Sequence, residues 1–317
     1  VYLTKSKPDP FFIKPLSPEQ ALRGRSGGSR EIPMKNHIST IIILLMFLVG
    51  LSVLLYPAVS TYINSKHASR VVANYQDTVD NADDERLAAF FDGAEDYNRR
   101  LAADPNAFYI PSRLSGYWNT LDITGTGIMG NITIEKLMVE LPIYHGTDPG
   151  VLQIGVGHIE GTALPVGGEG THCVLSGHRG LPSARLFTDL DKLEVGDTFT
   201  ITVLDKDLTY RVDQIKTVLP TESADLLPVK GKDYCTLVTC TPYGINTHRL
   251  LVRGIREDTP EKRPGIRVRN EAFRIDPLIV APIAAIPMVL LLILSTFLRG
   301  AKKSKKKGSA SGKEGTS

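Results

Sequence analysis

Thr236-Leu237-Val238-Thr239-Cys240-Thr241-Pro242-Tyr243-Gly244-Ile245-Asn246-Thr247-His248-Arg249-Leu250-Leu251-Val252 contains an apolar run closed by a cysteine, a turn-rich stretch, and a second apolar run opened by an arginine. Two such runs around Pro, Gly and Asn read as neighbouring antiparallel strands. In that pairing the Arg249 guanidinium comes close to the Cys240 sulfur. A thiol is a strong nucleophile only as thiolate, and nearby cations favour that form. The imidazole that would complete such a constellation is available upstream, at His178 in Leu175-Ser176-Gly177-His178-Arg179-Gly180.

Working outward, two uncharged apolar runs frame the chain, residues 38–59 and 277–298. Each is about 20 residues long, enough to cross a bilayer core. The net charge is only +3, yet basic residues crowd both ends: Lys5, Lys7, Lys14, Arg23, Arg25, Arg30 and Lys35 before the first run, and Arg299, Lys302, Lys303, Lys305, Lys306 and Lys307 after the second. The positive-inside rule puts both ends in the cytoplasm and the segment between them outside. The expected arrangement is therefore a cytoplasmic N-terminus (1–37), a span (38–59), an external segment, a charged tether (257–276), a second span (277–298) and a cytoplasmic tail (299–317). Ala58-Val59-Ser60 resembles a signal-peptide cleavage site, but the long basic stretch ahead of the run favours an uncleaved anchor. The basic ends carry no interleaved aromatics, so anionic lipid headgroups, not nucleic acid, are their expected partner.

The external segment divides in two. Residues 60–129 begin with helical periodicity: Val71, Val72, Tyr75 and Val79, then Leu87, Phe90, Phe91, Tyr97 and Leu101. Asp80, Asp83, Asp84 and Glu85 suit the start of a second helix. They lack the glycine and glutamate spacing of a calcium loop. From residue 130 to 256 short β-type runs alternate with Gly, Pro and Asp: 131–136, 139–144, 172–176, 198–204, 208–218, 235–239 and 250–255. Many short strands with few long helices indicate a mainly β barrel or sandwich.

Three cysteines suggest one functional thiol with a possible pair beside it. Cys173 lies five residues before His178, and Cys235 five before Cys240. The two thiols face each other if their strands run parallel and in register; otherwise they are two small core residues. His145, His158, His172 and His178 fit no common metal spacing, so no metal site is expected. His248 falls on the face opposite Arg249 by alternation. Arg253, four residues after Arg249, shares its face and competes for the same role.

Thr236-Leu237-Val238-Thr239-Cys240 resembles the TLxTC signature of sortases, the membrane-anchored cysteine transpeptidases of Gram-positive bacteria. The resemblance extends through Leu141-Pro142-Ile143-Tyr144-His145-Gly146, Gly155-Val156-Gly157-His158, Leu164-Pro165-Val166-Gly167-Gly168 and Ser176-Gly177-His178-Arg179-Gly180-Leu181-Pro182. The stretch from Cys240 to Gly254, and the second apolar run, are similar to the class C, pilin-polymerising sortases. The resemblance implies an eight-stranded sortase β-barrel with N-terminal helices. It implies Cys240 as nucleophile, His178 as proton donor to the leaving amine and Arg249 as oxyanion and substrate clamp, the thiol and imidazole acting as an ionised pair. Thr239, Glu222 and Ser223 would help shape the substrate groove. The implied substrates are pilin subunits with an LPxTG-like sorting signal, cut between Thr and Gly and joined to a lysine amine, with no cofactor.

Class C sortases usually carry a lid with Asp-Pro followed by an aromatic. Asp104-Pro105 stands in the expected place, with Asn106 where the aromatic belongs and Phe108 two residues on. The resemblance implies that Asp104 pairs with Arg249 and Phe108 covers Cys240 in a closed state. Two other enzyme readings are a housekeeping sortase that anchors proteins to the cell-wall precursor and a secreted cysteine hydrolase. A surface adhesin or pilin is a different class, but no Leu-Pro-x-Thr-Gly precedes the second apolar run.

Overall fold

The computed structural model describes residues 34–104 and 106–257. The tether, the second apolar run and the basic tail lie outside the described residues, as does Pro105. The chain falls into two compact units, 1–51 and 52–317. Of the first, residues 34–51 are helical.

Helix α1 (Met34–Asp80) is one continuous 47-residue helix that runs through Pro57. The sequence suggested a span followed by a separate helix; the structure joins them. Its apolar portion is long enough to cross a membrane and its apolar window is not buried. Helix α2 (Asp84–Ala103) begins at the expected acidic cluster. The Asp83 carboxylate accepts the Arg86 N–H at 2.7 Å, and Asp84 and Glu85 stand in the first turn, where the helix dipole favours negative charge.

Eight strands close into a barrel: β1 (Ile128–Ile134), β2 (Val139–His145), β3 (Val156–His158), β4 (Thr171–Ser176), β5 (Thr198–Val203), β6 (Lys206–Val218), β7 (Asp233–Thr241) and β8 (His248–Arg256). A short helix α3 (Pro149–Ile154) lies between β2 and β3. The strand order is β1-β2-β3-β4-β7-β8-β6-β5, with β5 returning to β1. Seven of these strands match runs visible in the sequence. The eighth, β3, spans three residues, too few to show a period-two pattern. β1 stops two residues before the expected Lys136, because Glu135–Leu137 forms a 3-10 turn closed by Met138 at φ 53°.

β4 and β7 are parallel and in register, and Cys173 pairs with Cys235. Both thiols are free and buried in the barrel, as the facing-thiol reading required. Alternation makes two layers. Cys173, Leu175, Cys235, Leu237, Leu250 and Val252 enter the main core with Phe199 and Tyr210. Val174, Val238, Leu251 and Val218 form a second cluster on the outer face, covered by Ile159 and Leu226.

The helices are pinned to the barrel by polar contacts. The Tyr75 hydroxyl donates to the Met129 carbonyl at 3.0 Å and accepts the Leu204 N–H at 2.8 Å. Asn98 on α2 is buried; its amide nitrogen donates to the Leu164 carbonyl at 3.1 Å and its oxygen accepts the Leu164 N–H at 2.7 Å. Asn98→Ala strands both backbone groups and is expected to lower unfolding free energy by roughly 2 kcal/mol. Urea denaturation of the 52–257 segment checks this; an unchanged midpoint would show the pin to be dispensable.

Candidate active site

β7 places Cys240 at its C-terminal end, where β8 begins, and Cys240 pairs directly with Arg249. Opposed residues in an antiparallel pair sit about 5 Å apart at Cα, so thiol and guanidinium start from adjacent positions on one face. On the other side of β7 lies β4. Their register runs to Ser176 with Val238, and the Gly177 N–H continues it by donating to the Val238 carbonyl at 3.0 Å. His178 is the next residue along that chain. β7 thus lies between β8, which carries Arg249 opposite Cys240, and β4, which leads into His178. Cys240, His178 and Arg249 are all partly exposed.

Other residues hold this geometry. A Cβ at Gly177 would lie 2.6 Å from the Phe187 ring, so only glycine lets the chain leave β4 against that packed aromatic. Thr239, expected in the groove, is instead 2% exposed, and its hydroxyl donates to the Gly177 carbonyl at 2.8 Å. It fixes the chain just ahead of His178 and does not face the groove. Arg179, which the sequence reading left without a role, is nearly buried. It donates to the Thr241 hydroxyl at 3.3 Å and to the Asp191 carboxylate at 2.5 Å, tying the His178 loop to the end of β7. The signal in the sequence was its place beside His178.

Arg249 Nη1 donates to the backbone carbonyls of His248 at 3.0 Å and Asn246 at 3.3 Å. Among the described residues no carboxylate forms an ion pair with it. Arg253 is committed elsewhere: it grips Asp213 through two hydrogen bonds of 3.0 and 2.8 Å and lies over Tyr234. His248 pairs with Thr241, one position off the Cys240–Arg249 pair and so on the other face. Of the two arginines on this face of β8, Arg249 is the one that pairs with Cys240 and has no carboxylate partner among the described residues.

The outer-face cluster of Val174, Val238, Leu251 and Val218 makes an apolar floor leading away from Cys240. Leu226, from the β6–β7 loop, packs on this floor, whereas the two polar residues picked from that loop serve the loop itself. The Glu222 carboxylate accepts the Leu219 N–H at 2.9 Å, and the Ser223 carbonyl accepts the Leu226 N–H at 3.0 Å in a 3-10 turn.

The lid residues lie elsewhere. The Asp104 carboxylate pairs with Arg113 at 2.6 Å and accepts the Asn106 N–H at 3.1 Å, so it closes its own loop and does not reach Arg249. The Arg113 hydrogen bond holds its carboxyl below the usual range. Asp104 and Phe108 line a cavity of about 440 Å³ with Thr171, His172 and Leu227. That is the N-terminal end of β4, six residues or about 20 Å from His178. Gly161, at φ +88°, lets the lid backbone approach: a Cβ there would meet the Ala107 and Phe108 carbonyls at about 3 Å.

The three other histidines of the barrel are structural. His145 lies between the Gly127 and Thr120 carbonyls, at 3.0 and 2.8 Å. His158 lies between the Tyr117 hydroxyl and the Ala163 carbonyl, at 2.9 and 2.8 Å. His172 lies between the Leu227 carbonyl and the Thr236 hydroxyl, at 3.0 and 2.7 Å. Among the described residues no cluster could hold a metal ion.

Residues 132–257 match the family model for the sortase domain. The crystal structure of sortase C1 from Streptococcus agalactiae is 48% identical, with 60% of this chain covering 100% of that chain at a TM-score of 0.56. The chain belongs to the sortase family. A Clostridium perfringens sortase C, solved with the C-terminal cell wall sorting motif, is 44% identical, with 61% of this chain covering 100% of that one at a TM-score of 0.53. Sortase D of Bacillus subtilis is 32% identical over 130 residues, 40% of this chain and 63% of that protein, so the match spans less than two thirds of the curated relative. The structural neighbours place this sortase in class C.

Burial holds the pKa values of His145 and His172 below their ordinary 6.5. The unfolded chain then binds more protons than the native one, so stability is full above about pH 6.5 and is lost as pH falls below it. The thermal midpoint should decline from pH 7 to pH 5, and less steeply in His172→Gln; parallel profiles would exclude His172 as a source. The Asp104–Arg113 contact has its own test. Arg113→Ala should speed amide hydrogen exchange across 106–113, while Arg249→Ala leaves it unchanged. The reverse result would restore the Asp104–Arg249 pairing.

Proposed function

We propose that this sortase is a pilin-polymerising transpeptidase. The observation that carries the reading is the pairing of Cys240 with Arg249 at the end of β7, beside the parallel strand β4 that leads into His178. The Cys240 thiolate attacks the threonine carbonyl carbon of an LPxTG-like sorting signal. The bond to the glycine nitrogen breaks, His178 supplies the proton that lets the amine leave, and the pilin remains as a thioester on Cys240. Arg249, free of any carboxylate partner among the described residues, stabilises the negative oxygen in both tetrahedral steps. A lysine amine of the next pilin then attacks the thioester and the sulfur departs, leaving an isopeptide bond. One amide replaces another, so no nucleotide is consumed and no cofactor is required.

Two further observations support this reading. The apolar floor beside Cys240, with Leu226 above it, suits the leucine and proline of a sorting signal. The Clostridium perfringens relative was solved with such a motif. Helix α1 supplies an anchor, and the uncharged apolar run 277–298, read from the sequence, a second span, which gives a two-pass membrane enzyme with an external catalytic domain and membrane lipids as neighbours. Anchoring enzyme and pilin in the same membrane raises their effective concentration.

Incubation with an LPxTG-type peptide and a lysine-bearing pilin should give a mass adduct on Cys240 and a lysine-linked product. Cys240→Ala abolishes both, and Arg249→Ala slows adduct formation by about 10²–10³-fold. A free-acid peptide as sole product would favour a hydrolase, and transfer only to cell-wall precursor a housekeeping sortase.

A further inference from the structure

Helix α1 works as a ruler that sets the height of the barrel above the membrane. Its exposed apolar residues Val53, Leu54 and Val59 continue the anchor run, and Tyr56 and Tyr62 are exposed around them. Tyrosines at the end of a membrane helix mark the headgroup level. At that same level the Ser60 hydroxyl and the Asn64 amide donate to the Ser183 carbonyl, at 3.4 and 2.7 Å. Ser183 belongs to the loop that carries His178. Further along the helix, Tyr75 binds the Leu204 N–H at the β5–β6 turn. Tyr75 is 13 residues beyond Tyr62, or about 20 Å along the axis. The two contacts fix which end of the barrel is low and which is high. The His178–Cys240 end is level with the tyrosine belt, and the β5–β6 turn stands away from it.

The low end presents apolar groups outward. Tyr243 and Ile245, in the turn between Cys240 and Arg249, are 60% and 67% exposed. Tyr243 packs over Gly180, where a Cβ would lie 3.0 Å from its ring, and the Arg179 guanidinium lies 5.9 Å from the ring centre. Gly180 is three residues from Ser183, at most about 11 Å of chain. The patch therefore lies on the same loop system that α1 holds through Ser183.

We infer that the active-site mouth rests on the bilayer surface, with Tyr243 and Ile245 docked among phospholipid headgroups. The enzyme then takes substrate segments that lie within a few residues of a membrane anchor, and the docked turn holds Arg249 at that height. The inference rests on reading α1 as the anchor and does not depend on which amine accepts the acyl group.

The test uses the full chain in vesicles of phosphatidylcholine and phosphatidylglycerol. A single environment-sensitive fluorophore is placed at Ile245→Cys or at Asp205→Cys, each with Cys240→Ala. Cys173 and Cys235 are buried and stay unlabelled. The 245 probe should shift to the blue and be quenched by spin-labelled lipid, while the 205 probe keeps water-like emission. Equal water-like emission at both sites, or quenching only at 205, overturns the orientation. In the otherwise unchanged chain, Ile245→Ser should leave turnover of a soluble sorting peptide intact and lower turnover of the same peptide carried on a lipid anchor. An equal loss on both peptides, or no loss on either, removes the docking role. If the parent enzyme turns over neither peptide, the transpeptidase reading fails while the probe result still decides the orientation.

Discussion

The parallel pairing of β4 with β7 is the constraint on which the site depends. A hairpin alone would put Cys240 opposite Arg249, because antiparallel neighbours pair by local chain reversal. His178 has no such local route. It is brought toward the end of β7 because Thr171 to Ser176 run beside Asp233 to Val238 in strict register, and Gly177 carries that pairing one step beyond the strand. A slip of one residue would turn the imidazole to the other face. Thr239, Phe187 and Arg179 all act to prevent it, by a hydroxyl on the Gly177 carbonyl, a ring against the Gly177 backbone and a guanidinium bridging to Thr241.

The same register separates structure from chemistry on β7. Alternate residues face inward and fill the barrel, Cys235 and Leu237 among them, while Thr236, Val238 and Cys240 face outward. Two thiols on one strand thus have opposite fates. Burial pushes the Cys235 thiol up, toward the neutral form, whereas Cys240 stands partly exposed beside a cation. Arg253 and Arg249 show the same division on β8. One is held by the Asp213 carboxylate, and the other donates to backbone carbonyls with no carboxylate partner among the described residues.

Helix α1 links this chemistry to its surroundings. Its contacts at Ser183 and Leu204 sit on opposite ends of the barrel and about 20 Å apart along one rigid rod. A helix that merely tethered the domain would need neither contact. Two sets of hydrogen bonds hold residues 60–75 of the helix along the side of the barrel.

The amino-acid sequence by itself determined the strands, the cysteine-turn-arginine hairpin and the apolar stretch of α1, because each is a local pattern of alternation, turn residues or uninterrupted apolarity. It also supplied the motif by which His178 and Cys240 are recognised together. It misplaced Thr239 and the Asp104 pairing, since residue type and spacing do not reveal which partner a polar side chain meets. Only the tertiary structure decided that Thr239 turns inward, that Leu226 packs on the outer apolar cluster, and that Asp104 is taken by Arg113. In each case the deciding factor is contact between segments distant along the chain, where burial and hydrogen-bond satisfaction outweigh local pattern.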